Sequence, residues 1–134
     1  MMVEKIEHEG RLYALVLRRE TEVEGASFFT PPENDLQLGL HQHRRGAEIK
    51  PHLHRDSTRT VRSIQEVLHI QRGKVEADFY DEERQRVARC TLEAGDTVLL
   101  LAGGHGFRML EDTKMVEVKQ GPYYGVEADK SRFT

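Results

Sequence analysis

Four residues are spaced so that their side chains could do chemistry together. His52-Leu53-His54 places two imidazoles at i and i+2. On a strand such residues share one face, with roughly 6–7 Å between their Cα atoms. Glu66 sits in the apolar run IQEVLHI, where a carboxylate flanked by Val67, Leu68 and Ile70 needs a partner. His105 follows Gly103-Gly104, a pair that lets the backbone turn sharply. Three neutral imidazole nitrogens and one carboxylate make a ligand set for a divalent transition metal such as Mn, Fe, Co, Ni, Cu or Zn. An octahedral ion would keep positions open for water or substrate. Without a metal the same residues form a polar pocket in which histidines act as acid and base near neutral pH.

Other side chains are candidates for a pocket around these four. Phe107 stands at i+2 from His105 and shares its face on a strand. Arg55, Arg59 and Arg62 lie in the polar stretch RDSTRTVRS. They read either as a solvated loop or as an anion clamp, since guanidinium forks match phosphates and carboxylates. His41 and His43 are a second i, i+2 pair, opposite in parity to Leu36, Leu38 and Leu40. They are expected to face solvent or a partner, with His43 a pocket residue if they turn inward. His69 has opposite parity to Glu66 and is expected to point away from it. Phe79, Tyr80, Tyr123 and Tyr124 offer ring surface, although strand aromatics pack a core by default. Cys90 lies between Ala88 and Leu92 at period two and reads as a buried, inert thiol.

The elements that must position these residues are short. Strands are expected over 3–8, 11–18, 35–44, 64–71, 75–80, 86–92, 97–102, 105–110 and 113–119, from apolar alternation bounded by turn residues. Residues 47–54 look extended, with Pro51 at an edge or bulge. Residues 20–34, with Gly25 and Pro31-Pro32, read as a loop. Glu9-Gly10, Arg72-Gly73-Lys74, Asp81–Arg84 and Gly95-Asp96 are turns. No stretch predicts a long amphipathic helix. About ten strands at such spacing predict an all-β sandwich or closed barrel.

At 134 residues, one domain spanning the whole chain is expected. The net charge of −3 argues against a broad nucleic-acid surface. No apolar run approaches a membrane span, and MMVEKIEHEG lacks a signal core, so neither membrane insertion nor export is expected. One cysteine permits no intrachain disulfide, which fits a cytoplasmic protein.

The spacing around these residues resembles the cupins. The first motif of that family is Gly, five residues, His-x-His, a spacer, Glu, six residues, Gly. Gly46, His52, His54, Glu66 and Gly73 follow it, with an eleven-residue spacer where three or four is usual. The second motif is Gly, five residues, Pro-x-Gly, two residues, His, three residues, Asn. Gly95, Gly103 and His105 follow it, with Leu101 at the Pro position, Met109 at the Asn position and His105 one residue early. A bulge at Gly103-Gly104 would restore that spacing. The resemblance covers residues 46–109. It implies a single all-β cupin domain, a jelly roll or double-stranded β-helix barrel, with His52, His54, Glu66 and His105 as metal ligands. Segment 117–123 adds a faint likeness to small cupins of carbohydrate and surface-polysaccharide metabolism. The expected function is a metal-dependent small-molecule enzyme, first a sugar or sugar-phosphate isomerase or epimerase. An Fe(II)-dependent dioxygenase and a non-catalytic sugar-binding or sensing module are the alternatives. A homodimer is expected, since exposed sheet edges need cover.

Overall fold

The computed structural model describes residues 3–133. The chain groups into two compact units, one running to Thr21 and resuming at Ile64, the other Glu22–Ser63.

The first unit holds two antiparallel sheets. β1 (Val3–His8) and β2 (Arg11–Leu17) form a hairpin. Its turn residues Glu9 and Gly10 both have positive φ, 49° and 76°, as a two-residue primed turn requires. β3 (Gly25–Phe28) and β4 (Gly39–Gln42) belong to the second unit. β5 (Glu66–Arg72), β6 (Lys74–Tyr80), β7 (Arg86–Glu93), β8 (Thr97–Leu100), β9 (Gly104–Met109) and β10 (Lys114–Lys119) complete the strands. The larger sheet runs in the order β1-β2-β8-β5-β10 and the smaller β7-β6-β9.

Register decides which side chains meet. In an antiparallel ladder, residues directly opposite share a face. Glu66 pairs with Leu100 on one side and Lys119 on the other; Leu68 pairs with Val98 and Glu117. Ala14 and Val16 lie opposite Leu100 and Val98. In the smaller sheet, Ala77 pairs with Cys90 and Phe107, and Phe79 with Ala88 and His105. The core is the contact between these two faces. Ala14, Val16, Leu68, Ile70, Val98 and Leu100 pack against Val75, Ala77, Phe79 and Leu92. Burial of these apolar faces is the main force holding the sandwich. Cys90 is half-buried on the same face, and burial raises its thiol pKa. His69 has the opposite parity, as expected, and its Nδ1 lies 2.8 Å from the Thr97 hydroxyl.

One corner is held by a buried carboxylate. Asp96 accepts hydrogen bonds from the Arg19 and Glu93 amides at 3.0 and 2.8 Å and from Arg18 Nη1 at 3.0 Å. These bonds fasten the end of β2 to the β7–β8 turn and satisfy a charge that would otherwise be costly to bury.

The second unit contains β3 (Gly25–Phe28) and β4 (Gly39–Gln42), paired antiparallel. Three expectations fail in this unit. Segment 20–34 is not all loop, because β3 lies within it. The strand expected over 35–44 is confined to Gly39–Gln42. Upstream of it, the Gln37 amide donates to the Pro31 and Asn34 carbonyls at 2.9 and 3.1 Å, a local pattern that competes with a ladder. The third concerns 47–54, which forms no strand. Every residue from 41 to 64 is exposed, and Leu53 is 95% exposed, so no packed face selects a register there.

The expectation of an all-β chain holds. None of the three sheets closes on itself into a barrel. β10 and β9 each pair on one side only among the described residues, which leaves both sheets open. The expected bulge at Gly103-Gly104 is also absent. The β6–β9 ladder runs from Gly104 to Met109 without a shift, and Gly103 instead turns the chain with φ of 67°. Among the described residues no helix is long and apolar enough to cross a membrane.

Candidate active site

The two facing sheets do not fill their interior to the end. Past Leu68 on β5 and Phe79 on β6 the apolar core gives way to a cleft of about 640 Å³. The larger sheet contributes Glu66 from β5 and Glu117 from β10; the smaller contributes His105 and Phe107 from β9. Glu66 and Glu117 are diagonal neighbours, because Glu66 lies opposite Lys119 and Leu68 opposite Glu117. His105 reaches across from the other sheet, its Nε2 3.8 Å from Glu66 Oε2. That exceeds a hydrogen bond, so the two groups adjoin without being locked together. The rings of His105 and Phe107 lie 5.6 Å apart, on the shared face expected from their spacing.

Gly103 makes this placement feasible. A Cβ there would stand 2.2 Å from the Tyr80 carbonyl oxygen, and its backbone lies in the left-handed region. Only glycine lets the chain leave β8 this close to β6 and enter β9 with His105 facing inward.

Burial gives the two groups opposite protonation tendencies. The Glu66 carboxyl is pushed above its ordinary range by burial, then by its hydrogen bond and like charge with Glu117; Lys119 and Lys130 partly offset this. His105 is pushed below its ordinary value, chiefly by burial and then by the Lys130 charge, against a smaller pull from Glu117. Glu66 therefore keeps its proton to higher pH than a free carboxyl, and His105 stays neutral to lower pH than a free imidazole. A carboxyl whose proton affinity is raised beside an imidazole whose proton affinity is lowered is the kind of pairing that general acid–base chemistry uses.

The remaining predicted residues fall in the second unit. His52 and His54 are exposed on an irregular segment, their ring centroids 5.3 Å apart. The His52 Nδ1–H donates to the Lys50 carbonyl at 2.8 Å. Arg55 and Arg59 are exposed, as is Arg62. His41 and His43 are exposed as expected, with 3.0 Å between His41 Nδ1 and His43 Nε2. His43 also lines a shallow concavity with Glu22, Glu24 and Arg44. Among the described residues, no three His, Cys, Asp or Glu side chains are grouped as a metal ion would need them. The four-ligand set implied by the motif spacing draws on both units.

Reasoning from sequence missed Glu117, Lys119 and the segment Asp129–Phe133, all of which bear on the cleft. In the β10 sequence KMVEVK the apolar alternation is ambiguous. Val116 and Val118 look like the inward residues, yet they are 43% and 55% exposed, and Met115, Glu117 and Lys119 take the inner face. The one usable signal was that Glu117 and Lys119 repeat the parity of Met115. No family model matches the chain, and no curated protein or solved structure matches it either.

Proposed function

We propose that the chain is a small-molecule isomerase or epimerase acting on hydroxy-carbonyl compounds such as sugars, with the cleft between its two facing sheets as the active site. The observation that carries this is the approach of His105 to Glu66 across the interior at 3.8 Å, with burial acting on their proton affinities in opposite senses. His105 Nε2 takes the proton from the carbon next to the carbonyl, while the Glu66 carboxyl gives its proton to the carbonyl oxygen. The C–H electron pair becomes the C=C bond of an enediol, and the carbonyl π pair becomes the new O–H bond. Return of a proton to the neighbouring carbon gives the isomer; return to the opposite face of the same carbon gives the epimer. Glu117, hydrogen-bonded to Glu66, orients its carboxyl. Phe107 supplies ring surface beside the base.

The motif spacing and the face-to-face antiparallel sheets support a jelly roll of the cupin type as the parent architecture. Metal would enter this proposal through His52, His54, Glu66 and His105, the set that the same spacing suggests.

The test is solvent exchange. The protein is incubated with a panel of aldoses, ketoses and their phosphates in D2O, with chelator and separately with added divalent metals. Deuterium next to the carbonyl is read by NMR. Exchange that survives chelation and falls about 10²–10⁴-fold in His105→Asn and Glu66→Gln is expected, a loss typical for removal of a general acid or base. Exchange that requires metal and is lost in His52→Ala would replace this reading with the metal centre. Saturable sugar binding without exchange would make the protein a binding module, and oxygen consumption would make it a dioxygenase.

A further inference from the structure

One wall of the cleft comes from the segment Asp129–Phe133, which follows the one-turn helix α1 (Val126–Asp129). The segment is fastened at both ends. Asp129 Oδ2 lies 3.0 Å from Lys119 Nζ, with the two side chains only 11% and 20% exposed. The Phe133 ring stands edge-on to Tyr80, with centroids 5.1 Å apart, and the Arg84 guanidinium lies over the Phe133 ring at 5.3 Å. Gly104 leaves room for it, since a Cβ there would come within 3.0 Å of the Phe133 ring. Between the two anchors, Lys130, Ser131 and Arg132 line the cleft. Neither Lys130 nor Arg132 forms an ion pair with a carboxylate among the described residues.

Charge selects what these cations would meet. Asp129 is balanced by Lys119. Lys130 and Arg132 are the cations that line the cleft, and neither is held by a carboxylate among the described residues. An oxyanion entering the cleft finds two cationic donors and the Ser131 hydroxyl.

We infer that Asp129–Phe133 is an anchored strap that binds an oxyanion, phosphate or carboxylate, through Lys130 and Arg132. The substrates of the cleft are accordingly small molecules carrying such a group. This deepens the reading of the cleft as an acid–base site and rests on it for the word substrate. It does not rest on it for the anion site itself.

The experiment reads anion binding, not turnover. Inorganic phosphate and acetate are titrated into the full chain by calorimetry at fixed ionic strength, since screening would otherwise mimic a loss of affinity. The variants are Lys130→Gln/Arg132→Gln, Phe133→Ala, and Arg55→Gln/Arg59→Gln as a control that removes two equal charges from the second unit. Saturable binding that weakens tenfold or more in the first two and less than twofold in the control is expected. The tighter of phosphate and acetate then identifies the group. No saturable binding, or binding unchanged in Lys130→Gln/Arg132→Gln, overturns the strap. Loss in the arginine control alone also overturns it and moves the anion site to Arg55 and Arg59. If phosphate binds as described but no compound exchanges deuterium, the acid–base reading falls and the strap stands. Exchange without strap-dependent binding removes the strap and keeps the acid–base reading.

Discussion

His105 with Phe107 and His52 with His54 are both pairs at i and i+2, yet they end in opposite surroundings. His105 and Phe107 lie on β9, opposite Phe79 and Ala77, and face a second sheet that brings Glu66 to 3.8 Å. His52 and His54 lie on an irregular segment where every residue is exposed, and His52 is satisfied by the carbonyl of Lys50. Equal spacing thus gives equal facing only where a ladder exists. Even then, chemistry needs an opposing layer to remove water. Burial raises Glu66 and lowers His105 because solvent no longer stabilises their charged forms. The difference between the regions is packing, not residue type.

The sharpest way to break this comparison is to exchange the roles of the two pairs by mutation. His105→Asn is expected to abolish most deuterium exchange, while His52→Asn and His54→Asn leave it within twofold. Equal losses in all three would mean that the pairs act together. Stability gives the next largest contrast. Phe79 is 1% exposed, and Phe79→Ala should cost about 3–5 kcal/mol in urea unfolding. Leu53→Ala, at a position 95% exposed, should stay within about 0.5 kcal/mol. A cost above about 1 kcal/mol at Leu53 would show that its segment is packed in solution.

Gly103→Ala is expected to destabilise by about 2 kcal/mol or more, since it adds a clash with the Tyr80 carbonyl to left-handed strain. Gly46→Ala, where φ is also positive at 90° but a Cβ meets nothing within 4 Å, isolates the conformational part and should cost about 1 kcal/mol. Equal effects would remove the argument that Gly103 admits the chain beside β6.

The smallest expected effect is in pH dependence. Glu66 has a raised folded pKa, so its contribution to stability is fully present below the unfolded value and is lost as pH rises through the folded one. His105 is depressed, so the folded state binds fewer protons, and stability is lost as pH falls below the unfolded imidazole value. Glu66→Gln should therefore flatten the decline of Tm above the ordinary carboxylate range, and His105→Asn the decline on the acid side of neutrality. Unchanged Tm–pH profiles in both variants would show that the cleft is wetter than its geometry indicates.

Strand placement was legible because alternation and turn residues agreed. The runs at β2, β6 and β8 are apolar enough to leave no other choice, and Glu9-Gly10 matches the turn its hairpin needs. Alternation misled over 35–44, where Gln37 satisfies a loop instead of a ladder. It misled again at β10, where Val116 and Val118 mark the face that ends up exposed. Glu66 and His105 were legible as candidates because a carboxylate in an apolar strand and a histidine after two glycines each demand an explanation.

The sequence alone determined the all-β character, most strand positions, and the parity that puts Phe107 beside His105 and turns His69 away from Glu66. These follow from local geometry: side chains alternate at period two, and glycine permits backbone conformations that other residues resist. Only the tertiary structure decided that Glu117 joins Glu66, that His105 meets them from the opposite sheet, and that Asp129–Phe133 walls the cleft. Those contacts join residues tens of positions apart. They depend on which sheet faces pack and in which register, and burial then decides which groups keep their protons.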